Sequence, residues 1–506
     1  MREPAFYPHD VNTPIEVVQT HISFVLLTGP YAYKIKKPVD LGFLDFTSLE
    51  KRHHYCDEEL RLNKAFAPDL YLEVLPIYEC NGSYTLHRSV DDCRIAEYAV
   101  RMRQFADSDL LINVFERGEF DLDLAERLGE RIADVHETAP MVSPPGSYGS
   151  AEAMSESVRQ DLETIQPFAG SVVPQELFEG LRTFIDTFIE EHGRLFDLRI
   201  KEGRIRECHG DLHLRNICLH GGRIELFDRI EFNDAFKNID IMYDFAFLLM
   251  DIQYRGGRRP ANRLLNAYLE STGDYGGALL LRFYQCARAL IRGMVALVLS
   301  VDEDVDAKRR EQARKDGVRL LEHALEYSRA TQGQLVVTCG LSGAGKSTFA
   351  RILAERMDAI HIRSDAVRKH LAGVDLVEHG EAIYSAAHTL ATYEKMIKLG
   401  ILLAKSGFAV ILDAKFDRSD IRLMLLGKAK TAGLPLRFVH CLAPLDVLKT
   451  RLAERVADIS DATQHLVDSQ AKQFESFGEE EVEITIPLNT QDEGAMEAVL
   501  NELAEL

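Results

Sequence analysis

The residues with the clearest chemical meaning form a glycine-rich stretch in the C-terminal third of the chain. It fits the pattern G-x-x-x-x-G-K-[ST] at every fixed position and reads Gly340-Leu341-Ser342-Gly343-Ala344-Gly345-Lys346-Ser347-Thr348. An apolar run at 335–337 predicts a strand before it, and the pattern from Phe349 to Met357 predicts a helix after it. A strand, a glycine turn and a helix start direct several backbone N–H groups at one anion. The stretch therefore predicts a nucleotide-binding loop.

Individual side chains of this loop have separate predicted roles. Lys346 would reach the β- and γ-phosphates of a nucleotide, which makes it a binding and a catalytic candidate, and the hydroxyl of Ser347 would hold Mg²⁺. The other groups predicted to contact the nucleotide are Gly340, Ser342, Gly343, Ala344, Gly345 and Thr348. A chance match in a Gly-rich turn is the competing interpretation, and the flanking strand and helix argue against it.

Two carboxylates follow later strands of the same region. Asp365 comes after the strand pattern at 359–362, and Asp413 ends the pattern at 408–412. The carboxyl edge of a parallel sheet is where ligands bind, so Asp365 could accept the proton of a substrate hydroxyl and Asp413 could support Mg²⁺. An N-cap role for Asp365 is the competing interpretation, and it is compatible with the first.

Arginines in this region could contact anionic groups. Arg368 lies one helical turn after Asp365, and its planar guanidinium suits a phosphate or carboxylate of the substrate. Arg451 and Arg455 share one face of a predicted helix that follows the strand pattern at 436–442. They could close over the nucleotide phosphates, or they could form an ordinary basic helix face.

A second motif lies in the N-terminal region. His209-Gly210-Asp211-Leu212-His213-Leu214-Arg215-Asn216 fits H-x-D-L-x-x-x-N. In such a loop the aspartate accepts the proton of the attacking hydroxyl and the asparagine binds the metal on the same phosphates. A hairpin signal around Gly221-Gly222 follows and ends at Asp228, where a second metal-binding aspartate would lie. The competing interpretation is a set of unrelated loop carboxylates.

A lysine and a glutamate further towards the N-terminus complete this set. Lys34 and Lys36 lie on a predicted strand at 31–36 and point the same way, because strand side chains alternate. Glu58 and Glu59 lie on the helix predicted from about Leu49 to Lys64. A strand lysine followed by a helix glutamate is the order of the ion pair that holds ATP phosphates in kinase folds. Lysine and glutamate are also common on surfaces, which is the competing interpretation.

The elements that must position these residues form two predicted regions. Strand patterns dominate residues 1–104 and helical patterns dominate 105–330, which predicts an α+β region of two lobes. Together with the kinase motifs above, this predicts a bilobal kinase-like domain. Residues 331–506 alternate strands and helices, which predicts an α/β P-loop domain with a mostly parallel sheet. The charged helical run at 302–329 contains no flexible linker and would connect the two stiffly.

Composition excludes several classes of protein. A chain of 506 residues favours two or three domains, and the net charge of −21 argues against a broad nucleic-acid footprint. Eight cysteines without a C-x-x-C pair favour free thiols in a reducing cytosol over a disulfide framework or a zinc site. The N-terminus lacks an apolar signal-peptide region, and no apolar run approaches membrane-spanning length. We therefore expect a cytoplasmic protein.

Residues 1 to about 325 resemble the aminoglycoside-phosphotransferase-like kinases, the small-molecule branch of the protein-kinase fold, in which the loop reads H-G-D-x-H-x-x-N as it does here. The resemblance implies Asp211 as catalytic base, Asn216 and Asp228 as Mg²⁺ ligands, and Lys34 on the ATP phosphates with Glu59 as its partner. It also matches Asp240 and Asp244 to an aspartate pair that braces the lower lobe; helix capping and local salt bridges are the alternative.

The N-terminal region departs from that family at two points. No G-x-G-x-x-G loop accompanies the first strands, which is usual in this branch. Arg229 stands where the family often has Trp after the hairpin aspartate, and the chain contains no Trp. The second departure predicts an unusual substrate pocket.

Residues 333 to 506 resemble the P-loop kinases that include gluconate kinase, zeta toxin and the polynucleotide 5′-hydroxyl kinases. The D-x-x-R of Asp365 and Arg368 is the specific point of likeness. The resemblance implies Asp365 as base and Arg451 or Arg455 as lid arginine, but the substrate does not carry over. The domain order resembles a bacterial group of fused phosphotransferase and P-loop ATP-binding proteins.

The sequence thus predicts an enzyme with two Mg²⁺–ATP sites, each of which transfers a phosphoryl group to a hydroxyl of a small molecule. One alternative is a nucleic-acid-end kinase in the C-terminal domain, which the net charge disfavours. A second is a P-loop kinase regulated by a nucleotide-sensing kinase-like domain. A third is an ATP-driven switch that phosphorylates only itself or a partner protein. The sequence leaves the acceptors and the oligomeric state open.

Overall fold

The structure is a computed structural model, and it describes residues 1–42, 44–87, 93–144, 146–329, 331–376, 378, 381–454, 459 and 464–504. Contacts divide the chain into two compact units. The first unit comprises residues 1–120, 138–172 and 182–251, and the second comprises 121–137, 173–181 and 252–506. These units are discontinuous in sequence, whereas the predicted domains, 1–330 and 331–506, are continuous segments. The predicted division therefore stays a prediction.

The regular elements follow the predicted order of β-rich, helical and alternating segments. The strands are β1 Glu16–Gln19, β2 Ser23–Leu27, β3 Tyr31–Lys36, β4 Tyr71–Cys80, β5 Ser83–Thr85, β6 Arg94–Arg103, β7 Ile205–Glu207, β8 Ile217–His220, β9 Arg223–Leu226, β10 Asn238–Asp240, β11 Gln334–Cys339, β12 Ile360–Arg363, β13 Ala409–Asp413, β14 Leu436–Leu442 and β15 Thr485–Asn489. The helices are α1 Leu49–Phe66, α2 Leu111–Glu116, α3 Leu122–Thr138, α4 Ala151–Ile165, α5 Gln175–Lys201, α6 Asp234–Lys237, α7 Ile241–Tyr254, α8 Arg258–Thr272, α9 Ala278–Leu299, α10 Ala307–Glu326, α11 Lys346–Met357, α12 Ser364–Ala372, α13 Ala386–Lys405, α14 Ser419–Ala432, α15 Leu445–Glu454, α16 Val467–Gln473, α17 Glu479–Val482 and α18 Glu493–Ala504.

The first unit is built on a six-stranded antiparallel sheet in the order β1-β2-β3-β6-β4-β5. Helix α1 starts at Ser48, whose hydroxyl accepts a hydrogen bond from the Lys51 backbone N–H, and it packs against β4 and β6. The hairpin of β8 and β9 follows the His209–Asn216 loop, as the Gly221-Gly222 signal predicts. This arrangement confirms the predicted kinase-like fold of the N-terminal region.

The second unit contains a five-stranded parallel sheet in the order β12-β13-β11-β14-β15. Its central strand β11 is buried and leads through residues 340–345 into α11, which confirms the predicted α/β P-loop fold. Phe349 and Leu353 of α11 pack against Val336 and Ile411 of the sheet in one apolar core.

Helix α8 covers the outer strand of this sheet within the same unit. The Asn262 side-chain amide donates to the Ala359 carbonyl at 3.0 Å, and the Asn266 side-chain oxygen accepts from the His361 backbone N–H at 2.7 Å. Arg263 pairs with the buried Glu355 of α11. An open sheet edge leaves unpaired backbone groups, and α8 satisfies two of them here.

One cysteine pair contradicts the prediction of free thiols. Cys80 and Cys93 form a disulfide, whereas the remaining six cysteines are free and buried. The register pairs Glu79 with Arg94, so that Cys80 and Cys93 are neighbours across β4 and β6. Their separation of 13 residues in sequence gives no hint of this, because strand register is a property of the sheet.

None of the described helices combines the length and the apolar character that a membrane crossing requires.

We predict that Arg422 stabilises the second unit through a buried ion pair. Its guanidinium is fully buried, donates to Glu481 at 2.7 Å and also donates to the Phe416 and Ser476 carbonyls. Arg422→Met should lower the free energy of unfolding by about 3–5 kcal/mol, because it leaves a buried carboxylate without its partner. Urea denaturation of the full chain measures this.

The exposed pair between Lys430 and Glu480 supplies the matched control on the same helix, α14. Lys430→Met should change the free energy of unfolding by less than about 1 kcal/mol, since water screens exposed pairs. Equal effects of the two substitutions would contradict the assigned role of Arg422.

Candidate functional sites

The first candidate site is organised around a buried carboxylate. Glu59 of α1 is fully buried and contacts both Lys34 at 2.8 Å and Lys36 at 2.7 Å. Lys34 also contacts Asp228 at 2.5 Å, and Lys36 contacts Glu231. Lys34 and Lys36 reach the same glutamate because they are two residues apart on β3. The structure therefore brings together the predicted Lys34, Glu59 and Asp228.

The charges of this network stabilise one another. Burial raises the pKa of Glu59, but the ammonium groups of Lys34 and Lys36 outweigh burial and lower it to about 2. Burial lowers the pKa of Lys34, yet the carboxylates of Asp228 and Glu59 raise it well above its ordinary value. Burial raises the pKa of Glu231 despite its contact with Lys36. Lys34 is therefore held as a cation that faces Asp228.

The His209–Asn216 loop is fixed by a buried aspartate. Asp244 accepts hydrogen bonds from the backbone N–H groups of His209 and Gly210, both at 2.9 Å. His209 contacts the Phe227 carbonyl at 2.8 Å, and burial lowers its pKa, which favours the neutral ring. Asp244 therefore holds the backbone of the loop, whereas Asp240 forms a salt bridge with Arg199, as the alternative interpretation expects.

Asp211 and Asn216 lie together at the end of this loop. The Asn216 amide donates to the Asp211 carbonyl at 2.9 Å and to its carboxylate at 3.1 Å. The side chains of Asp211 and Asp228 remain 41% and 47% exposed, so both are open to a ligand. An amide oxygen and a half-exposed carboxylate form a donor set that suits Mg²⁺. Asn216 and Asp228 are thus the residues that would hold the ion here.

Arg229, which stands where the related family often has Trp, lies in the interior, and the expectation of an unusual substrate pocket stays a prediction. Its guanidinium is buried, donates to the Leu62 and Glu207 carbonyls at 2.6 Å each, and lies 3.7 Å from the centre of the Phe66 ring. Burial lowers its pKa to about 10. Arg229 therefore joins α1 to the strand before the catalytic loop, because its fork can satisfy several carbonyls at once.

The second candidate site is the glycine-rich loop of the second unit. Gly340 has φ +130°, and a Cβ there would lie 2.4 Å from the Cys441 carbonyl oxygen. Gly343 has φ +81°, and a Cβ there would lie 2.8 Å from the Leu448 carbonyl oxygen. Both positions therefore require glycine. The predicted phosphate-binding groups Gly340, Ser342, Gly343, Ala344, Gly345, Lys346, Ser347 and Thr348 form this loop and the first turn of α11.

The loop lysine lies over the backbone turn. Lys346 donates to the Leu341 carbonyl at 2.8 Å, and burial lowers its pKa against the opposing charges of Asp413 and Asp365. Both predicted carboxylates are thus near Lys346.

Asp413 ends β13 in a polar environment. Its two carboxylate oxygens contact the Thr338 hydroxyl at 2.8 Å and the His361 ring at 3.2 Å. Burial raises its pKa, but His361, Arg363 and Lys346 together lower it well below the ordinary range. The charged carboxylate near the Ser347 turn suits Mg²⁺ chemistry, and Ser347 and Asp413 are the residues that would hold or support the ion.

The N-cap interpretation of Asp365 is wrong. Arg363 occupies the N-cap position of α12 without a side-chain cap, and Asp365 is the second helical residue.

Arg368 is buried, donates to the Ile383 carbonyl and the Thr389 hydroxyl, and lies 4.6 Å from the centre of the Tyr384 ring. Its Nε has no hydrogen-bond partner in the described part of the chain. A substrate role for Arg368 stays a prediction.

Arg451 of α15 contacts the glycine-rich loop and the segment that follows β15, and its predicted closure over the phosphates stays a prediction. It donates to the Thr490 hydroxyl at 3.0 Å and approaches the Gly343 carbonyl at 3.4 Å. Arg451, Thr490 and Gln491 line a cavity of about 550 Å³ beside the start of α18. The predicted Arg455 lies outside the described residues, so the structure says nothing of its side chain.

Sequence reasoning missed several residues of both sites. Gln470 of α16 accepts a hydrogen bond from the Ser342 backbone N–H at 3.1 Å, and no local pattern marks it. His361, Thr490 and Glu231 were also missed, because each meets its contact partner across a long sequence separation. Strand alternation predicts Lys36 on the same face as Lys34, but it does not predict the pairing of Lys36 with Glu59.

Two protein-family models match this chain, one in each of the two regions that carry the candidate sites. A family model described as "Phosphotransferase enzyme family" matches residues 110–281, and one described as "AAA domain" matches residues 335–477. The fold, the two sites and these matches define an enzyme of the kinase class, in which an aminoglycoside-phosphotransferase-like region precedes a P-loop kinase domain.

Relatives span nearly the whole chain. An uncharacterized protein of Mycobacterium tuberculosis (strain H37Rv) is 30% identical over 462 residues, which cover 90% of this chain and 89% of the relative. An uncharacterized protein of Mycobacterium bovis shows the same values. The chain belongs to the same family as these mycobacterial proteins.

Two solved structures each resemble part of the chain. A choline/ethanolamine kinase family protein from Mesorhizobium loti is 15% identical and covers 64% of this chain and 96% of its own, with a TM-score of 0.37. A gluconokinase from Sinorhizobium meliloti is 22% identical and covers 35% of this chain and 96% of its own, with a TM-score of 0.26.

We predict that the two lysines of the first site differ in their effect on stability. Lys36→Met leaves the buried Glu231 without a lysine and should lower the free energy of unfolding by about 3–5 kcal/mol. Lys34→Met should cost about 1–3 kcal/mol, because Glu59 keeps Lys36 and Asp228 is half-exposed. Urea denaturation of each variant measures the difference.

Lys64→Met is the control, since Lys64 is an exposed residue of α1, the helix that carries Glu59. It should change the free energy of unfolding by no more than about 0.5 kcal/mol. A larger loss for Lys34→Met than for Lys36→Met would show that Lys36 is not the main counter-charge.

Proposed function

We propose that the protein is a bifunctional ATP-dependent phosphotransferase with two Mg²⁺–ATP sites. Each site transfers the γ-phosphoryl group of ATP to a hydroxyl of a small molecule. The observation that carries the proposal is that each site holds a lysine among carboxylates. Lys34 contacts Asp228 at 2.5 Å, and the charges of Asp413 and Asp365 act on Lys346.

In the kinase-like site, Asp211 would accept the proton of the acceptor hydroxyl as its oxygen attacks the γ-phosphorus. The bond from that phosphorus to the bridging oxygen of ADP breaks, and ADP leaves. Lys34, held by Glu59, would bind the phosphates, and Asn216 and Asp228 would hold Mg²⁺. The contact between Lys34 and Asp228 supports this, because it brings the phosphate ligand and the metal ligand to one point.

In the P-loop site, the backbone N–H groups of residues 342–348 would hold the phosphates and Lys346 would neutralise their charge. Asp365 would accept the proton of the second acceptor, and the free Nε of Arg368 would contact an anionic group of that acceptor. The acidic net charge of −21 disfavours a nucleic-acid acceptor.

The nucleoside of ATP would occupy the cavity lined by Arg451, Thr490 and Gln491. This cavity measures about 550 Å³, which lies within the about 300–1,000 Å³ of small-molecule sites. It adjoins Gly343 of the phosphate-binding loop through Arg451, so a nucleotide could reach from one to the other. Arg451 then binds the nucleotide on the side of the loop that faces the nucleobase.

We predict that the two proposed catalytic bases, Asp211 and Asp365, can be inactivated independently. In the full chain, Asp211→Asn and Asp365→Asn should each lower transfer of ³²P from labelled ATP by about 10²–10⁴-fold, but only for the acceptors of that site. ATP affinity should stay within a few-fold, because asparagine keeps the shape of aspartate but cannot accept a proton. A screen of hydroxyl-bearing metabolites and oligonucleotides measures both activities.

Asp123→Asn supplies a control at an exposed aspartate of α3. An equal loss of ATP binding and transfer in Asp365→Asn would make that residue a metal or structural group. Unchanged transfer to every acceptor in Asp211→Asn, with Mg²⁺–ATP binding retained, would instead make the kinase-like region a nucleotide sensor.

We predict that Arg451 supports nucleotide binding at the P-loop. Arg451→Met should weaken ATP binding by about tenfold, equivalent to about 1.4 kcal/mol. Calorimetry on the full chain with Asp228→Ala, which weakens the other site, isolates this effect. Lys449→Met is the matched control on α15, since Lys449 pairs with Asp468 at the surface. Equal ATP affinities of the Arg451→Met and Lys449→Met variants would show that Arg451 does not contribute to nucleotide binding.

A further inference from the structure

A second cavity of about 430 Å³ lies within the second unit, apart from the phosphate-binding loop. Helices α3, α8 and α11 and the end of β12 form its walls, and all four elements belong to that unit. Its charged lining residues are Glu126, Glu130, Arg263, Glu270, Arg351 and Arg363. Its volume again falls within the about 300–1,000 Å³ of small-molecule sites.

Most polar groups around this cavity already have protein partners. Arg263 donates to Glu126 at 2.7 Å and also pairs with Glu355. Arg363 contacts Glu270 at 3.2 Å. These pairs leave the walls in a fixed arrangement.

Two charged side chains of the cavity lining, Arg351 and Glu130, have no ion-pair partner of opposite charge within the described part of the chain. Arg351 of α11 is partly buried and Glu130 of α3 is exposed. Neither makes a hydrogen bond or an ion pair among the described residues. They lie on different helices and do not pair with each other. An arginine that is partly removed from water without an acceptor loses hydrogen-bond energy that an anionic ligand would restore.

We propose that this cavity binds a small zwitterion, whose carboxylate or phosphate contacts Arg351 and whose ammonium group contacts Glu130. A guanidinium fork suits an oxyanion, and a carboxylate suits an ammonium donor. Two unmatched groups of opposite charge select a molecule that carries both charges over one that carries either alone.

The cavity is also connected to the P-loop site. His361 lines its wall and contacts Asp413 at 3.2 Å, while Asn266 of the cavity holds the His361 backbone. A ligand that packs against this wall would therefore restrain the carboxylate that supports Mg²⁺. This regulatory step rests on the proposed function of the P-loop site, whereas ligand binding itself does not.

The test uses unbranched ω-amino acids, which contain both charges and no hydroxyl that could accept a phosphoryl group. Calorimetry on the full chain would measure binding of 4-aminobutyrate, 5-aminopentanoate and 6-aminohexanoate beside the matching carboxylic acids and amines. We expect at least one amino acid to bind at least about tenfold more tightly than both of its singly charged analogues. No saturable binding of any of the three up to about 10 mM would overturn the proposal.

Variants then assign the two contacts. Arg351→Met and Glu130→Gln should each weaken binding of the amino acid by about tenfold or more and remove its advantage over the analogue that lacks the corresponding charge. Lys430→Met on α14 is the control, since Lys430 is exposed and pairs with Glu480 at the surface. Thermal unfolding of each variant excludes a loss through misfolding.

Further outcomes distinguish the site from its alternatives. Unchanged binding in Arg351→Met would overturn the proposal, because the amino acid would then lie elsewhere. Binding that survives in Asp211→Asn and Asp365→Asn, together with its loss in Arg351→Met, would support a separate site even if the proposed phosphotransfer failed. Altered Mg²⁺–ATP affinity on addition of the amino acid would support the connection through His361.

Discussion

The buried carboxylate of Glu59 is the interaction on which the first site depends. A carboxylate with no exposed surface is tolerated only when charged partners and hydrogen bonds replace water. Lys34 and Lys36 supply those charges from one face of β3, and they thereby fix α1 against the sheet. Glu231 neutralises the charge of Lys36, and Lys34 contacts the half-exposed carboxylate of Asp228. Buried charge thus sets the position of the residue that would touch phosphate.

The second site depends on close backbone packing instead. Gly340 lies so near the Cys441 carbonyl that no side chain fits, and this contact ties the loop to β14. The loop can then present N–H groups without mobile side chains between them and an anion. Lys346 and Asp413 add opposite charges at the same edge of the sheet. The two regions therefore use different physical means to hold a lysine among acidic side chains.

Local patterns made much of this predictable. The glycine loop, the H-x-D-L-x-x-x-N loop and the hairpin after it are contiguous, so spacing alone indicates their structure. Glu231 and Gln470 could not be found in this way, because they meet their partners through folding across long sequence separations. The disulfide of Cys80 with Cys93 depends on strand register, and the position of Asp365 depends on where α12 begins. Element types were therefore easier to predict than pairings and helix ends.

The compact units also show why family boundaries and physical boundaries need not coincide. The phosphotransferase family match covers residues 110–281, yet 121–137, 173–181 and 252–281 belong to the unit that contains the P-loop sheet. Helix α8 supplies hydrogen bonds to β12 and arginines to the buried Glu355. A chain cut at residue 330 would lose these partners, expose an edge strand and leave the carboxylate of Glu355 without its counter-charges. The P-loop region is therefore physically completed by helices that precede it in sequence, and its chemistry is properly a property of the whole chain.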